Sequence, residues 1–177
     1  MLNKGILMNK KEKGLTLIES LVVVGILLGI VAIALTLYGT VMDRLNVKNE
    51  SENISFMYAQ VTDLFSDEGT EDLDNELAIQ AGIIPKKMKI NGSNIFNPWD
   101  GKVTIEGAGV NAFEIRTERV PSGDVCVNLV RNQRKVGWDS YEVGSGGEAF
   151  SEMKTSSLAK NCEGSTDYVT ITFIKGE

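Results

Sequence analysis

From Leu21 to Leu37 the chain carries no charge, and only Gly25, Gly29, Thr36 and small alanines interrupt its aliphatic side chains. A helix made of this stretch is apolar on every side, so it belongs in a bilayer or a helix bundle. About 17 residues at a rise of 1.5 Å reach roughly 26 Å, just sufficient to cross a hydrocarbon core. Beyond Tyr38 the pattern becomes amphipathic: Val41 and Leu45, then Ile54, Met57, Tyr58, Val61, Leu64 and Phe65 recur at three- and four-residue steps. Between Asn46 and Asn53 only Val47 is apolar, which predicts a bend or an exposed stretch. No proline falls between Leu15 and Phe65, so the spacing predicts one helix of about 50 residues and roughly 75 Å. Its first half is apolar all round and protrudes; its second half buries one stripe against a globular head. Two separate helices are the alternative.

Asp67-Glu68-Gly69-Thr70 ends that helix. Glu71 to Ala81 reads as a short second helix with Leu73 and Leu77 on one face, stopped by Gly82 and followed by Pro85. Residues from Ile90 to Gly101 read as a loop, with Asp100-Gly101 a turn signal and Trp99 a packing aromatic. Strands are predicted over Lys102–Glu106 and Ala112–Glu118, split by Gly107-Ala108-Gly109, with Phe113, Ile115 and Thr117 alternating against charged neighbours. Pro121-Ser122 reads as the opening of a helix that runs to Arg131 and carries Val125, Cys126, Leu129 and Val130. Val136–Val143 and Tyr168–Ile174 complete the strand candidates, and Gly144-Ser145-Gly146-Gly147 reads as a surface loop. The fold class is α+β: a long N-terminal helix packed on an antiparallel sheet, with a disulfide-bounded C-terminal region.

Charge sharpens the division. Lys4, Lys10, Lys11 and Lys13 against Glu12 put +3 on the first 14 residues, so the formal total of -6 leaves -9 on the rest. That balance does not indicate a nucleic-acid binder, since phosphate neutralisation needs clustered Lys and Arg. The basic groups Lys86-Lys87-Lys89 and Arg131-Arg134-Lys135 read as solvated charges. Lysines before the span keep the N-terminus cytoplasmic and send the bulk of the chain across the membrane. Two distant cysteines, Cys126 and Cys162, would be free thiols in the cytosol; after export a disulfide is the better reading. It closes a loop of about 36 residues, worth about 4 kcal/mol in the chain-entropy model. The chain has no histidine, which removes histidine-based triads and the usual zinc sites. No Gly-Lys-Ser/Thr follows the glycine cluster, so there is no phosphate-binding loop of that type. No enzymatic activity, metal or cofactor is expected.

A secretory signal is cut after its apolar core, at small residues. Here that core passes directly into Tyr38-Gly39-Thr40-Val41-Met42-Asp43-Arg44, which offers no such site. The remaining oddity is Glu19, a carboxylate at the edge of the apolar run, where burial in hydrocarbon costs a few kcal/mol. Taken alone it reads as an interfacial charge. Its surroundings, Lys13-Gly14-Leu15-Thr16-Leu17-Ile18-Glu19-Ser20, resemble the processing site of type IV prepilins. The resemblance implies that a prepilin peptidase cuts between Gly14 and Leu15 and methylates the new amino group of Leu15. It also implies that Glu19 pairs with the N-terminal amine of a neighbouring subunit during assembly. Gly25 and Gly29 form a GxxxG pair that allows close helix approach, though such glycines are also ordinary in membrane helices.

The order of elements, with a helix carrying the first cysteine inside the sheet topology, looks like the type IVb subclass that includes the bundle-forming and toxin-coregulated pilins. Leu15 as first mature residue points the same way. The expected organisation is a cleaved leader over residues 1–14, a membrane and assembly half-helix over 15–40 and an amphipathic half-helix over 41–66. A connecting loop with a short helix over 67–101 and a sheet head over 102–177 follow, with the disulfide loop over 126–162. Implied partners are further copies of the chain in a helical filament, the prepilin peptidase, the inner-membrane assembly machinery and an outer-membrane secretin. The implied location is the inner membrane of a Gram-negative bacterium, then an extracellular pilus serving adhesion, aggregation or DNA transfer. The alternatives are a minor pilin or type II secretion pseudopilin and, from another class, a single-pass anchored periplasmic binding protein.

Overall fold

The computed structural model describes residues 16–164 and 166–176, the side chains at 36 and 37 excepted. Without a proline to interrupt it, the first helix, α1, runs unbroken from Leu17 to Leu64. Internal contacts divide the chain into two units between Val41 and Met42. In the first unit Leu17, Leu21, Ile26, Leu28, Ile33 and Leu35 are all exposed. By length and composition this helix is able to cross a membrane.

The second unit is built on one seven-stranded sheet. Its strands are β1 (Lys89–Asn91), β2 (Asn94–Phe96), β3 (Lys102–Gly107), β4 (Phe113–Pro121), β5 (Ser140–Val143), β6 (Gly146–Ala149) and β7 (Tyr168–Lys175). They lie in the order β1-β2-β3-β4-β7-β5-β6, and every neighbouring pair is antiparallel. The last strand therefore inserts beside β4, pairing Ile115 with Phe173 and Thr117 with Ile171. Period-two alternation carries Ile105, Ile115, Ile171 and Phe173 into the core. Facing them, Val47, Ile54, Met57 and Val61 of α1 recur at helical spacing and are buried in the same cluster. Trp138 lies among Tyr58, Phe113 and Phe173, with ring centroids 4.6, 5.5 and 5.7 Å away. Its indole N–H donates to Gln133 Oε1 at 3.2 Å, so the polar edge of the buried ring is satisfied.

Three further helices complete the unit: α2 (Asn75–Gln80), α3 (Asp124–Gln133) and α4 (Thr155–Cys162). The second helix is shorter than expected because Asp74 caps it, its side chain accepting from Leu77 N at 2.8 Å. It stops where expected. Gly82 takes φ +75 and Ile83 N reaches back to Ala78 O at 3.0 Å, a Schellman closure.

Other expectations are corrected. The loop expected over Ile90–Gly101 contains the β1–β2 hairpin, whose turn depends on Gly92 at φ +61. Its first strand is exposed at all three positions, so no alternation betrays it. Pro121 does not open α3. It ends β4 opposite Tyr168, and the helix begins at Asp124 after Gly123, which adopts φ +73. The strand expected from Val136 starts only at Ser140, because Val136 N bonds back to Gln133 O in the turn that closes α3. The glycine cluster at 144–147 is half turn and half strand: Gly144 adopts φ +59, and Val143 pairs with Gly146. Helix α4 lies within what was expected to be a cysteine loop.

Candidate assembly segment and the head that carries it

Thr16 starts α1. Its carbonyl accepts from Glu19 N and Ser20 N at 3.0 Å each, and its hydroxyl accepts from Glu19 N at 3.3 Å. Threonine is suited to this cap because its oxygen satisfies an amide that the helix itself leaves open. Glu19 therefore sits in the first turn of the helix, where a negative charge interacts favourably with the helix dipole. Among the described residues its carboxylate makes no hydrogen bond or ion pair. Gly14 and Leu15, the residues of the expected cleavage site, lie outside the described residues. A Cβ added at Gly25 or Gly29 would meet no atom within 4 Å. Packing among the described residues thus gives no reason for either glycine.

In the head, Cys126 of α3 and Cys162 at the end of α4 form a disulfide with a Cα–Cα distance of 5.7 Å. Both residues are fully buried, and Gly123 N donates to Cys162 O at 2.8 Å beside them. The turn from Asn97 to Gly101 is organised by one side chain. Asn97 Oδ1 accepts from Trp99 N and Gly101 N at 2.9 and 2.8 Å, while Nδ2 donates to Thr117 Oγ1 and Glu118 O at 2.9 and 2.6 Å. Trp99 packs against the core, in keeping with its expected structural role. Among the described residues no group of three or more His, Cys, Asp or Glu is placed to hold a metal.

The basic residues expected to be solvated are exposed and, in part, paired. Lys87 reaches Glu52 at 3.1 Å and Lys89 reaches Asp100 at 2.9 Å. Two of the buried polar residues that sequence reasoning missed lie between α1 and the rest of the head. Gln133, fully buried, donates to Ser51 O, Ser51 Oγ and Ser55 Oγ at 2.9, 2.9 and 3.3 Å, tying α3 to α1. Glu50, also fully buried, accepts from Thr117 Oγ1 at 3.0 Å and Asn53 Nδ2 at 3.4 Å. Burial pushes its carboxyl from the ordinary 4.5 up to about 7, against the smaller lowering effects of Thr117, Asn53 and Lys87. The signal was available, since Glu50 occupies a three-then-four step between Val47 and Ile54.

The family model for the PilS N-terminal region matches residues 44–175, well over half of the chain. The chain belongs to the PilS family. A solved architecture agrees: the crystal structure of a type IVb pilin from Salmonella typhi matches with a TM-score of 0.57. That match has 20% identity and covers 71% of this chain and 97% of the other, so it speaks for the fold. No curated protein matches the chain in sequence. The expected family, the α+β class with a long helix on an antiparallel sheet and the Cys126–Cys162 bridge are thus all present. The PilS family and a fold like that of a type IVb pilin support a pilin subunit.

Proposed function

We propose that this chain is the major structural subunit of a type IVb pilus. A prepilin peptidase removes residues 1–14 on the cytoplasmic side and methylates Leu15, and the subunit waits in the inner membrane of a Gram-negative cell with α1 as its span. The assembly machinery then transfers it from the membrane into a helical filament that leaves through an outer-membrane secretin. In the filament the apolar surface from Leu17 to Leu35, exposed in the single chain, is buried against neighbouring helices. Burying aliphatic side chains of this size contributes about 1.5–3 kcal/mol each, so many shallow contacts sum to a stable fibre. The fibre serves adhesion, aggregation or DNA transfer between cells.

The observation that carries this reading is the carboxylate of Glu19, without a partner among the described residues, at the start of the exposed apolar run of α1. A carboxylate entering an apolar bundle requires a counter-charge. The ammonium freed at Leu15 of an adjoining subunit supplies one, and the pair fixes register. The test is filament recovery from cells carrying Glu19→Ala or Glu19→Val. Both variants are expected to be processed largely as wild type and to yield few or no filaments. Gly14→Leu is expected to block processing itself. Wild-type amounts of filament from the Glu19 variants would refute the register role.

A further inference from the structure

The sheet-facing stripe of α1 should be apolar throughout, yet two of its positions are Glu50 and Asn53, both buried. A buried carboxylate ordinarily has a cation beside it. Among the described residues none forms an ion pair with Glu50. On α1, Lys48 reaches Glu52 at 3.8 Å. On the segment before β1, Lys87 is drawn to Glu52, and Lys89 at the start of β1 binds Asp100. On β4, Arg116 holds Glu114 and Glu106, and strand alternation puts it on the face opposite Thr117. What meets Glu50 is neutral: the Thr117 hydroxyl, itself accepting from Asn97 Nδ2, and the Asn53 amide.

One atom completes the picture. Asn53 Oδ1 is buried and has no hydrogen-bond partner, an arrangement that costs free energy unless a donor is found. Turning the Asn53 amide by half a rotation places Oδ1 where Nδ2 now stands, 3.4 Å from Glu50 Oε2. There it accepts the proton of a neutral carboxyl. The protonated cluster then runs from Asn97 to Thr117 to Glu50 to Asn53, the first three each donating to the next, while the Asn53 amide nitrogen takes the place in which Oδ1 had no partner. The ionised cluster has a dehydrated charge held by the Thr117 hydroxyl and one long amide contact, with Lys87 near enough to act on it but ion-paired to Glu52 instead.

We propose that Glu50 is a proton-operated latch between α1 and the sheet: its carboxyl is neutral while residues 42–64 are docked, and losing the proton loosens the docking. The sign follows from linkage. A carboxyl that binds its proton more tightly when folded stabilises the fold fully below its unfolded value, and that contribution is lost as pH rises through its folded value. With values of 4.5 and about 7, the folding equilibrium constant falls about 80-fold between pH 5 and 8.5. No histidine is present to titrate in that window.

The experiment compares full-length wild type and Glu50→Gln in neutral detergent micelles, with urea unfolding followed by tryptophan fluorescence from pH 5 to 8.5. Wild type is expected to lose most of two orders of magnitude in folding constant, and Glu50→Gln to remain nearly level. Any contribution from the terminal amine is common to both proteins and cancels in the comparison. Equal pH slopes for the two proteins would overturn the proposal. Should the variant fail to fold, the ¹³C shift of the Glu50 carboxyl in wild type decides. A midpoint near 7 supports the latch, and one near 4.5 overturns it. Thr117→Val, which removes a donor to the ionised form, is expected to move the midpoint higher; a lower midpoint would contradict the cluster as drawn.

Discussion

Replacing both Cys126 and Cys162 by alanine opens a loop of 36 residues in the unfolded chain. Loop-closure entropy for that length amounts to about 4 kcal/mol, close to three orders of magnitude in the folding constant. The folded state has little reason to rearrange. Leu129, Val130 and Leu158 remain fully buried around the site, and the bond from Gly123 N to Cys162 O belongs to the backbone. Each alanine also forfeits the burial of one sulfur, adding roughly 1 kcal/mol per site by large-to-small reasoning. The expected loss is therefore about 4–6 kcal/mol, carried mostly by the unfolded state. The assay is urea unfolding of the full chain in detergent, comparing oxidised wild type, dithiothreitol-reduced wild type and the double alanine variant. Reduction alone is expected to account for most of the effect, with a larger denaturant slope because the unlinked chain unfolds to a more exposed ensemble. A loss below about 1 kcal/mol on reduction would refute the loop-entropy reasoning.

Two further substitutions probe the head. Asn97→Ala removes four hydrogen bonds at once, two of them to backbone amides of the turn. We expect a loss of about 3 kcal/mol, and a drop of under 1 kcal/mol in the same urea assay would contradict the organising role. A Cβ at Gly107 would collide with the carbonyl of Thr70, which is backbone and cannot swing aside. Gly107→Ala is expected to destabilise by about 2 kcal/mol or more, whereas an unchanged melting temperature would show that the 69–73 segment gives way freely.

The sequence spoke clearly wherever side-chain pattern and partner agreed. The uncharged run and the stripe Ile54, Met57 and Val61 announced α1, and alternation announced β3, β4 and β7, since each strand has one face in the core. Elements held by a neighbour instead of their own pattern were hidden. Strand β6 is Gly-Gly-Glu-Ala, with nothing to mark it except its pairing to β5. The β1–β2 hairpin has three residues per strand, too few for a period to show. Helix α4 offers few apolar residues besides Leu158 and Cys162. Pro121 misled for a specific reason. A proline without a donor suits the first turn of a helix and the end of a strand equally, and Gly123 at positive φ decides for the strand end. The stretch Asn46–Asn53 looked weak because its inward positions are polar, not because they are exposed. The proposed assembly role of Glu19 rests on a spacing of residue types alone, while the polar cluster at Glu50 required the fold to bring Asn97 and Thr117 to the helix.

The mature N-terminus decides whether this chain can polymerise through a pair between Glu19 and a freed amine. Intact-mass and N-terminal peptide mass spectrometry of protein sheared from the cell surface as filaments is expected to find a chain beginning at Leu15, with a methylated amine and Glu19 retained. A chain still beginning at Met1, or one cut beyond Leu37, would leave no freed amine beside an apolar helix, and a filament built on that pair would not form.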